Sequence, residues 1–367
     1  MSNKKTTHYN IDAIDSMGCL FNLIFGSRSD GKSYQVKHKK AVVKYVKTHR
    51  RFILLRRLNE EIKADKIERY FSDVDVTGIT DGRYNCIVLY RKELFLASYD
   101  FDKNKTVRGE KIGYVMALNA EQHYAGASYL DVDDIIFEEF FARTPYLSGG
   151  GEVDKLINLW STVDRKRYTT RIWMVGNTIS RVCPYINEWG IHKLITNMKQ
   201  GEIKTTKLDA GEDKEGNPLY ITLAMEYCQP TGSNLAIGKH KDMLNKGSWQ
   251  SDPQPHLPKS LKDYTSRFSF IFMYQDFKFA CSYLEDSETG ETCWFIKPYD
   301  GEIREDSIVI SDQVRVSPLW QRNIYDTNFK NPRLNALFQN FRESNIFYAT
   351  DLCGTDFKQV IDFCIRK

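Results

Sequence analysis

The chain has 367 residues, a length that suggests two domains or one domain with a large appendage. Hydrophobic residues make up 41% and charged residues 27%, which is ordinary for a globular protein and excludes extensive disorder. The net charge of only +4 excludes a protein that binds nucleic acid through overall basicity, so any such contact must come from local clusters of charge.

Cysteines and apolar runs bear on the compartment. The eight cysteines form no C-x-x-C pair, so the sequence predicts free thiols rather than a zinc site or a disulfide framework. The first residues lack the apolar stretch of a signal peptide, and the apolar run at residues 20–25 is too short to span a bilayer. We therefore expect a cytosolic protein that has no membrane partner.

The first 208 residues have the pattern of an α/β domain. An apolar run at residues 19–25 suits a strand buried on both faces of a parallel sheet, and it leads into a glycine-rich turn and then a helical pattern from Tyr34 to Val46. Further short apolar runs occupy residues 52–55, 86–90, 112–118, 135–137 and 172–175. Strands that alternate with helical patterns predict a mainly parallel sheet.

The remaining residues predict a linker and a second domain. Residues 209–262 contain five glycines and three closely spaced prolines with only brief apolar runs, which is typical of a linker region. Residues 263–367 predict an α+β domain. Its expected elements are an antiparallel meander at residues 268–274, 277–284 and 292–296, strands at 308–316 and 346–349, and helices at 334–341 and 357–365.

The strongest motif is a G-x-x-x-x-G-K-[ST] sequence that ends in Lys32 and Ser33. Such a loop turns its backbone N–H groups toward a triphosphate, its lysine reaches the β and γ phosphates, and its hydroxyl helps to hold Mg²⁺. A chance Gly-Lys-Ser turn is the alternative, but the buried strand before the motif and the helix after it favour a P-loop that binds ATP. The predicted nucleotide contacts are Gly26, Ser27, Arg28, Ser29, Asp30, Gly31, Lys32, Ser33 and Tyr34.

An acidic pair follows a second buried strand. We expect Glu138 to hold Mg²⁺ and Glu139 to orient and deprotonate the attacking water. The Mg²⁺ residue is usually Asp, so Glu138 is a departure, and two surface glutamates at a strand end are the alternative. An intervening strand before the acidic pair is typical of motor-type (ASCE, RecA-like) ATPases rather than of small GTPases.

Polar residues around the next strand are candidates for sensing the γ phosphate. Asn177 ends this strand beside the acidic one, as a γ-phosphate sensor would. Arg165, Arg167 and Arg171 are candidates for an arginine finger, which stabilises transition-state charge and is often supplied by a neighbouring subunit. Solvated helix ends are the alternative interpretation of these arginines.

Two basic clusters are candidates for DNA contact. A protein that binds DNA of any sequence should contact phosphates rather than base edges. The first cluster could equally be a solvated helix face. The clusters consist of Lys37, Lys39, Lys40, Lys44, Lys47, Arg50 and Arg51, and of Lys239, His240, Lys241 and Lys246.

The first 190 residues resemble the podovirus DNA encapsidation protein family, the DNA-packaging ATPases of small tailed phages of the phi-twenty-nine group. The resemblance is carried by motifs in matching order and spacing. These are Tyr9-Asn10, residues 26–34, residues 52–53 with Arg56-Arg57, Tyr70-Phe71 with Asp73-Val74, residues 137–140, Thr162-Val163 with Arg165 and Arg167, Asn177, and Pro184-Tyr185.

The resemblance implies a ring of five subunits, docked on the portal of a prohead, that moves double-stranded DNA. By position it makes Arg165 the trans-acting finger in preference to Arg167. It leaves open whether a packaging RNA couples the ring to the portal. It also implies that the C-terminal domain is RNase H-like and has lost its metal-binding carboxylates; Asp276, Asp312, Asp351 and Asp356 are the remaining candidates here.

Three functions are therefore compared. The leading hypothesis is an ATPase that packages viral DNA, and the presence of Glu139 favours it. The first alternative is an ATP-gated assembly switch with slow turnover. The second is a terminase-like enzyme with an active C-terminal nuclease.

Overall fold

The computed structural model describes residues 9–142, 146–147, 151–231, 248–274, 276–311, 320–321, 340 and 343–365. The chain forms two compact units. The first comprises Met1–Ile179 with Leu194–Ser248, and the second comprises Ser180–Lys193 with Trp249–Lys367. Within the described ranges, no helix has both the length and the apolar character needed to span a membrane.

The first unit is built on a nine-stranded sheet. Its strands are β1 (Phe21–Gly26), β2 (Arg51–Arg56), β3 (Cys86–Tyr90), β4 (Glu93–Asp100), β5 (Lys105–Ala117), β6 (Val132–Glu138), β7 (Arg171–Asn177), β8 (Ile203–Glu212) and β9 (Pro218–Tyr227). Their order across the sheet is β3-β4-β5-β2-β6-β7-β1-β9-β8. The six strands from β5 to β9 in this order run parallel, and antiparallel hairpins form both edges.

Burial explains why the centre of this sheet is parallel. Every residue of β1 is buried, and β2 and β6 are buried along nearly their whole length. Strands that are covered on both faces read as continuous apolar runs, as these do. The predicted α/β fold with a mainly parallel sheet is therefore confirmed for this unit.

Helices cover the sheets and connect the strands. They are α1 (Asp12–Asp15), α2 (Lys32–Val36), α3 (Lys44–Thr48), α4 (Ala64–Phe71), α5 (Val76–Ile79), α6 (Glu152–Asp164), α7 (Pro184–Glu188), α8 (His192–Thr196) and α9 (Asp351–Ile365). A π-helical segment, Lys37–Val43, joins α2 to α3 into one continuous helix. Within the described residues, 3-10 turns lie at Asn59–Glu61, Leu118–Tyr124 and Leu261–Asp263.

The second unit is a six-stranded mixed sheet with one long helix. Its strands are β10 (Tyr264–Tyr274), β11 (Phe277–Asp286), β12 (Thr292–Pro298), β13 (Val309–Ser311), β14 (Trp320–Gln321) and β15 (Ile346–Tyr348), in the order β14-β13-β10-β11-β12-β15. The predicted antiparallel meander is confirmed as β10, β11 and β12. Phe272, Phe279 and Phe357 share one core, which packs α9 on the sheet.

The prediction that residues 209–262 form a linker was wrong for their first part. Strands β8 and β9 form a hairpin there, and β9 joins the main sheet beside β1. Two glycines that suggested a loop have a left-handed backbone: Gly211, near the end of β8, has a φ of +84°, and Gly216, in the hairpin turn, has a φ of +82°. The outer strand β8 is exposed along most of its length, and only the last five residues of β9 are buried. The hairpin therefore has little of the apolar pattern that predicts a strand.

Other boundaries also differ from those predicted. Residues 180–193 belong to the second unit rather than to the first. The last helix begins at Asp351, six residues earlier than expected. The predicted helix at 334–341 lies outside the described residues except for Asn340, as do residues 312–316 of the predicted strand.

Candidate functional site

The Gly26–Ser33 loop connects β1 to α2 at the carboxyl edge of the parallel strands. Gly31 caps α2 with a φ of +90°, a conformation that side chains with a Cβ disfavour. Ser29 is also left-handed, with a φ of +65°. A Cβ on Gly26 would lie 3.1 Å from two atoms of Cys228, so the chain passes close to β9 there. Glycine is thus required by the turn at one end of the loop and by close packing at the other.

Strand register brings the predicted site residues to this loop. Gly26 pairs with Asn177 at the ends of β1 and β7, and Glu138 pairs with Val175 on the next strand. Asn177, Glu138 and Val175 border a cavity of about 330 Å³. Its lining includes residues 28–34, Glu138, Glu139 and Asn177, with Lys37, Asp73, Val175 and Gly176. The predicted residues Gly26 and Ser27 support the loop from behind and do not line the cavity.

Lys32 is buried at the base of the loop, with 4% of its surface exposed. Its ammonium group donates to the carbonyl of Ser27 and lies 3.5 Å from Oδ1 of Asn177. Burial lowers the pKa of Lys32 from its ordinary value, against the opposing effect of nearby acids. A buried cation that lies against backbone and amide oxygens is well placed to attract an anionic ligand.

Glu138 is held on both of its carboxylate oxygens. Ser33 donates to Oε2 at 2.9 Å, and the hydroxyl of Tyr70 donates to Oε1 at 2.7 Å. Burial raises the pKa of Glu138, although these hydrogen bonds favour the charged form. The hydroxyl of Ser33 and the carboxylate of Glu138 therefore lie together, as the sequence predicted.

Glu139 has the opposite environment. Its side chain is 65% exposed, and its nearest ion-pair partner is Arg56, whose Nη2 is 3.8 Å from Oε2. Its backbone is left-handed, with a φ of +58°. A non-glycine residue in this region is strained, and such strain persists only where surrounding contacts enforce it.

Arg57 provides those contacts. Its guanidinium donates to the carbonyls of Glu139 at 3.1 Å and Phe140 at 3.0 Å, and it pairs with Glu152 at 2.9 Å. The side chains of Arg57 and Glu152 are only 5% and 1% exposed. The second oxygen of Glu152 accepts from the backbone N–H of Leu147 at 2.7 Å. A buried ion pair thus fixes the backbone that carries Glu139.

Asp30 has a structural role in the loop. Its carboxylate accepts from the hydroxyl of Ser27, and from the N–H and hydroxyl of Thr231 at 3.0 and 3.2 Å. Its carbonyl accepts from the N–H of Tyr9 at 3.1 Å. The loop is thereby tied to the segment that follows β9 and to the start of the described chain.

The three candidate arginines lie at the other edge of the sheet. Arg165 is exposed and donates to the carbonyl of Ala127 at 2.7 Å. Arg167 donates to the carbonyls of Leu130 and Val132, at the start of β6, and Arg171 pairs with Asp15. Seven strand residues separate this edge from Glu138, which is about 20 Å at 3.3 Å per residue.

Most of the basic run after the loop is engaged in ion pairs within the unit, with side chains that are still partly exposed, so its contact with DNA stays a prediction. Only Lys47 of the run is fully exposed without an ion pair among the described residues. The pairs are Lys37–Asp73, Lys39–Asp12, Lys40–Asp15, Lys44–Asp133 and Asp134, Arg50–Asp133, and Arg51–Asp131. The second basic cluster, residues 239–246, lies outside the described residues.

Sequence reasoning missed the residues that support the site from a distance. Tyr70, Arg57 and Glu152 each act through a tertiary contact, and no local pattern marks them. Lys37 and Asp73 line the cavity as an ion pair, with the Lys37 ammonium 4.5 Å above the ring of Tyr70. Tyr70, Asp73 and Arg57 fall in the motifs shared with the packaging ATPases, which was the one available signal.

The sequence is similar to those of DNA packaging proteins from Bacillus phages. It is 30% identical over 180 residues to the protein of Bacillus phage B103, covering 47% of this chain and 48% of that protein. It is 29% identical over 184 residues to the protein of Bacillus phage phi29, covering 49% of each. The chain therefore spans about half the length of the curated relatives it matches.

The likeness in fold extends further than the likeness in sequence. A chain of the bacteriophage Phi-29 viral genome packaging motor assembly matches with a TM-score of 0.57 at 19% identity, covering 97% of this chain and 99% of that one. The family model for the Podovirus DNA encapsidation protein (Gp16) matches residues 3–200, which is more than half of the chain. The protein belongs to the podovirus DNA encapsidation protein family.

Proposed function

We propose that this protein is the ATPase of a DNA-packaging motor, which couples ATP hydrolysis to the movement of double-stranded DNA into a prohead. The observation that carries the proposal is the convergence of Lys32, Ser33, Glu138 and Asn177 on one cavity, with Glu139 at its lining. The first unit would then be a P-loop NTPase domain of the RecA-like (ASCE) type. The names of the Bacillus phage relatives support a role in DNA packaging.

The donor set fits ATP with Mg²⁺. The Ser33 hydroxyl and the Glu138 carboxylate lie 2.9 Å apart, and oxygen donors of this kind are what Mg²⁺ prefers. The glycine-rich loop and Lys32 would hold the phosphates. When bound, Mg²⁺ neutralises charge on the β and γ phosphates.

Glu139 and Asn177 would act on the reacting groups. The exposed carboxylate of Glu139 would accept a proton from the attacking water. Asn177 would contact the γ phosphate, since its amide lies beside the Lys32 ammonium. Arg57 would hold the backbone of Glu139 in place for this role.

Arg165 would complete the site of a neighbouring subunit. Because it lies at the opposite edge of the sheet from Glu138, it does not reach its own nucleotide site, whereas its exposed guanidinium is available to another chain. The arrangement supports a ring of subunits, and the pentamer expected from the family fits it. The ring would dock on the portal vertex of a prohead in the host cytoplasm, with or without a packaging RNA.

The second unit would grip DNA or dock on the portal rather than cut DNA. Asp356 is buried in an ion pair with Arg181, and Asp351 accepts from His256. Two-metal nucleases need several carboxylates converging on the ions. Among the described residues no group of three or more His, Cys, Asp or Glu forms such a site. Asp312 lies outside the described residues. An inactive RNase H-like fold remains the proposal for this unit.

The test is Mg²⁺-dependent ATP turnover by the intact chain, measured at several protein concentrations with and without double-stranded DNA. We expect the rate per chain to rise with concentration and with DNA, since the finger acts between subunits. Glu139→Gln should abolish turnover while ATP still binds, which assigns the activity to this cavity. Turnover that survives Glu139→Gln, or ignores both DNA and concentration, would contradict the motor.

A further inference from the structure

The loop between α6 and β7, residues 164–170, has an unusual backbone. Arg165, Lys166 and Tyr168 are all left-handed, with φ of +49°, +63° and +54°. A non-glycine residue in this region is strained because its Cβ approaches the backbone closely. Three such residues within four positions persist only if other contacts over-determine the loop.

The carboxylate of Asp164 is the centre of those contacts. Its Oδ2 accepts from the N–H of Tyr168 at 2.7 Å. Its Oδ1 accepts from the N–H groups of Thr169 at 3.0 Å and Thr170 at 2.9 Å. Asp164 is 1% exposed. Burial works to raise its pKa, but the three hydrogen bonds prevail and the pKa lies below its ordinary value.

Arg167 closes the loop from the other side. Its guanidinium donates to the carbonyl of Asp164 at 2.9 Å and to that of Val163 at 3.1 Å. It also donates to the hydroxyl of Thr170 at 3.0 Å. With its contacts to the residues that begin β6, all three guanidinium nitrogens are engaged. The guanidinium of Arg167 therefore stabilises the loop, whereas that of Arg165 is exposed.

Arg165 and Lys166 are directed outward by this arrangement. Both are exposed, as is Tyr168. A long charged side chain loses conformational entropy when it is ordered in a binding site. Because the backbone of this loop is already fixed, binding to a partner site does not have to order the backbone as well. This lower entropic cost favours the insertion of Arg165 into the site of a partner subunit.

We propose that Asp164 is a positioning residue for the arginine finger: its carboxylate fixes the loop from which Arg165 enters the nucleotide site of a neighbouring subunit. The inference rests on the proposed function, since it requires Arg165 to act in trans. It predicts that an Asp164 variant fails to present Arg165 correctly to the neighbouring subunit. The variant's own nucleotide site stays intact.

The experiment mixes chains with complementary defects. Glu139→Gln chains have a dead nucleotide site but an intact loop. Asp164→Asn chains have an intact nucleotide site, and the amide keeps the size of the side chain while removing the charge and one acceptor oxygen. Turnover is measured for each chain alone and for equal mixtures, with Arg165→Ala as the reference and Lys166→Ala as the matched control for an exposed residue of the same loop.

We expect Asp164→Asn alone to lose turnover 10- to 100-fold with ATP affinity unchanged, and Lys166→Ala to lose less than threefold. Adding Glu139→Gln chains should raise the turnover of Asp164→Asn chains at least fivefold, because the added chains supply intact loops. The same rescue is expected for Arg165→Ala. A purely structural role for Asp164 would give a loss that Glu139→Gln chains do not rescue, and this outcome would overturn the proposal.

Two further results separate the possible failures. If Arg165→Ala turns over ATP normally, or is not rescued in the mixture, the trans finger of the proposed function is wrong and the inference falls with it. If Arg165→Ala is rescued but Asp164→Asn has wild-type turnover, only the inference is wrong. Should Asp164→Asn fail to fold by circular dichroism, Arg167→Lys loosens the loop from its other side and is expected to show the same rescue.

Discussion

Glu139 and Arg165 occupy opposite edges of the same sheet and are held in similar ways. Glu139 directly follows β6 and Arg165 directly follows α6; each has a left-handed backbone, and each exposes its charged side chain. In both cases an arginine, Arg57 or Arg167, donates to the adjacent carbonyl groups. The backbone is therefore fixed while the charge stays available.

The two positions differ in where their support comes from. Arg57 and Glu152, which hold the backbone of Glu139, are 95 residues apart in the chain and fully buried. The support of Arg165 is mainly local, since the carboxylate of Asp164 accepts from the backbone N–H groups of the residues four, five and six positions later in the chain. The position of the carboxylate thus depends on the folded core, whereas the position of the finger depends largely on its own loop.

The largest effect is expected for Arg165, the exposed charge near the amino ends of the parallel strands. Arg165→Ala should lower ATP turnover by about 10³-fold or more, the range found for arginine fingers, and abolish the dependence on protein concentration. ATP affinity should be unchanged because Arg165 does not line its own cavity. Turnover and nucleotide binding are measured on the same preparation. A rate that still rises with concentration would break the comparison, since a group other than Arg165 would then act between chains.

Next in size is the loss of the buried ion pair at the carboxyl edge. Glu152→Gln should lower the free energy of unfolding by about 3–5 kcal/mol, because it leaves the buried guanidinium of Arg57 without its countercharge. The double variant Arg57→Met/Glu152→Leu should be closer to wild type in stability, although its turnover should stay low because Glu139 loses its backbone support. Urea unfolding and ATP turnover test both statements. A stable and fully active double variant would show that the Arg57–Glu152 ion pair is not needed to hold the backbone of Glu139.

A smaller effect is expected for Tyr70→Phe, which removes one of the two side-chain donors to Glu138. A lost hydrogen bond to a charged group corresponds to about 1.5 kcal/mol, or roughly tenfold in turnover at limiting Mg²⁺. The pKa of Glu138 is already raised by burial, and the lost bond raises it further. The acidic limb of the pH profile should therefore move to higher pH. An unchanged limb would show that Tyr70 does not set the charge on Glu138.

The smallest effect concerns the strained backbone. Lys166→Gly should be about 1 kcal/mol more stable than Lys166→Ala, because glycine adopts the φ of +63° without a Cβ penalty. Both variants remove the same side chain, so their difference isolates the backbone. Equal unfolding free energies in urea would mean that Asp164 and Arg167 impose no measurable strain on the loop.

The sequence predicted the parts of the site that local patterns encode. The loop motif, the acidic pair and Asn177 could each be placed because the carboxyl ends of neighbouring parallel strands meet at one edge. Tyr70 and Arg57 could not be placed, since each reaches the site across the fold from a segment with no distinctive pattern. The β8–β9 hairpin was missed because its exposed outer residues have the composition of a loop.

Helix α6 connects the two regions end to end. Its first residue, Glu152, belongs to the ion pair beneath Glu139, and its last residue, Asp164, organises the loop of Arg165. Thirteen helical residues form a stiff rod of about 20 Å. A displacement at one end therefore arrives at the other without being absorbed along the way. In a ring of such chains, α6 would link the nucleotide site of each subunit to the loop that this subunit supplies to its neighbour. A rigid movement of this one helix would then couple ATP hydrolysis in successive subunits.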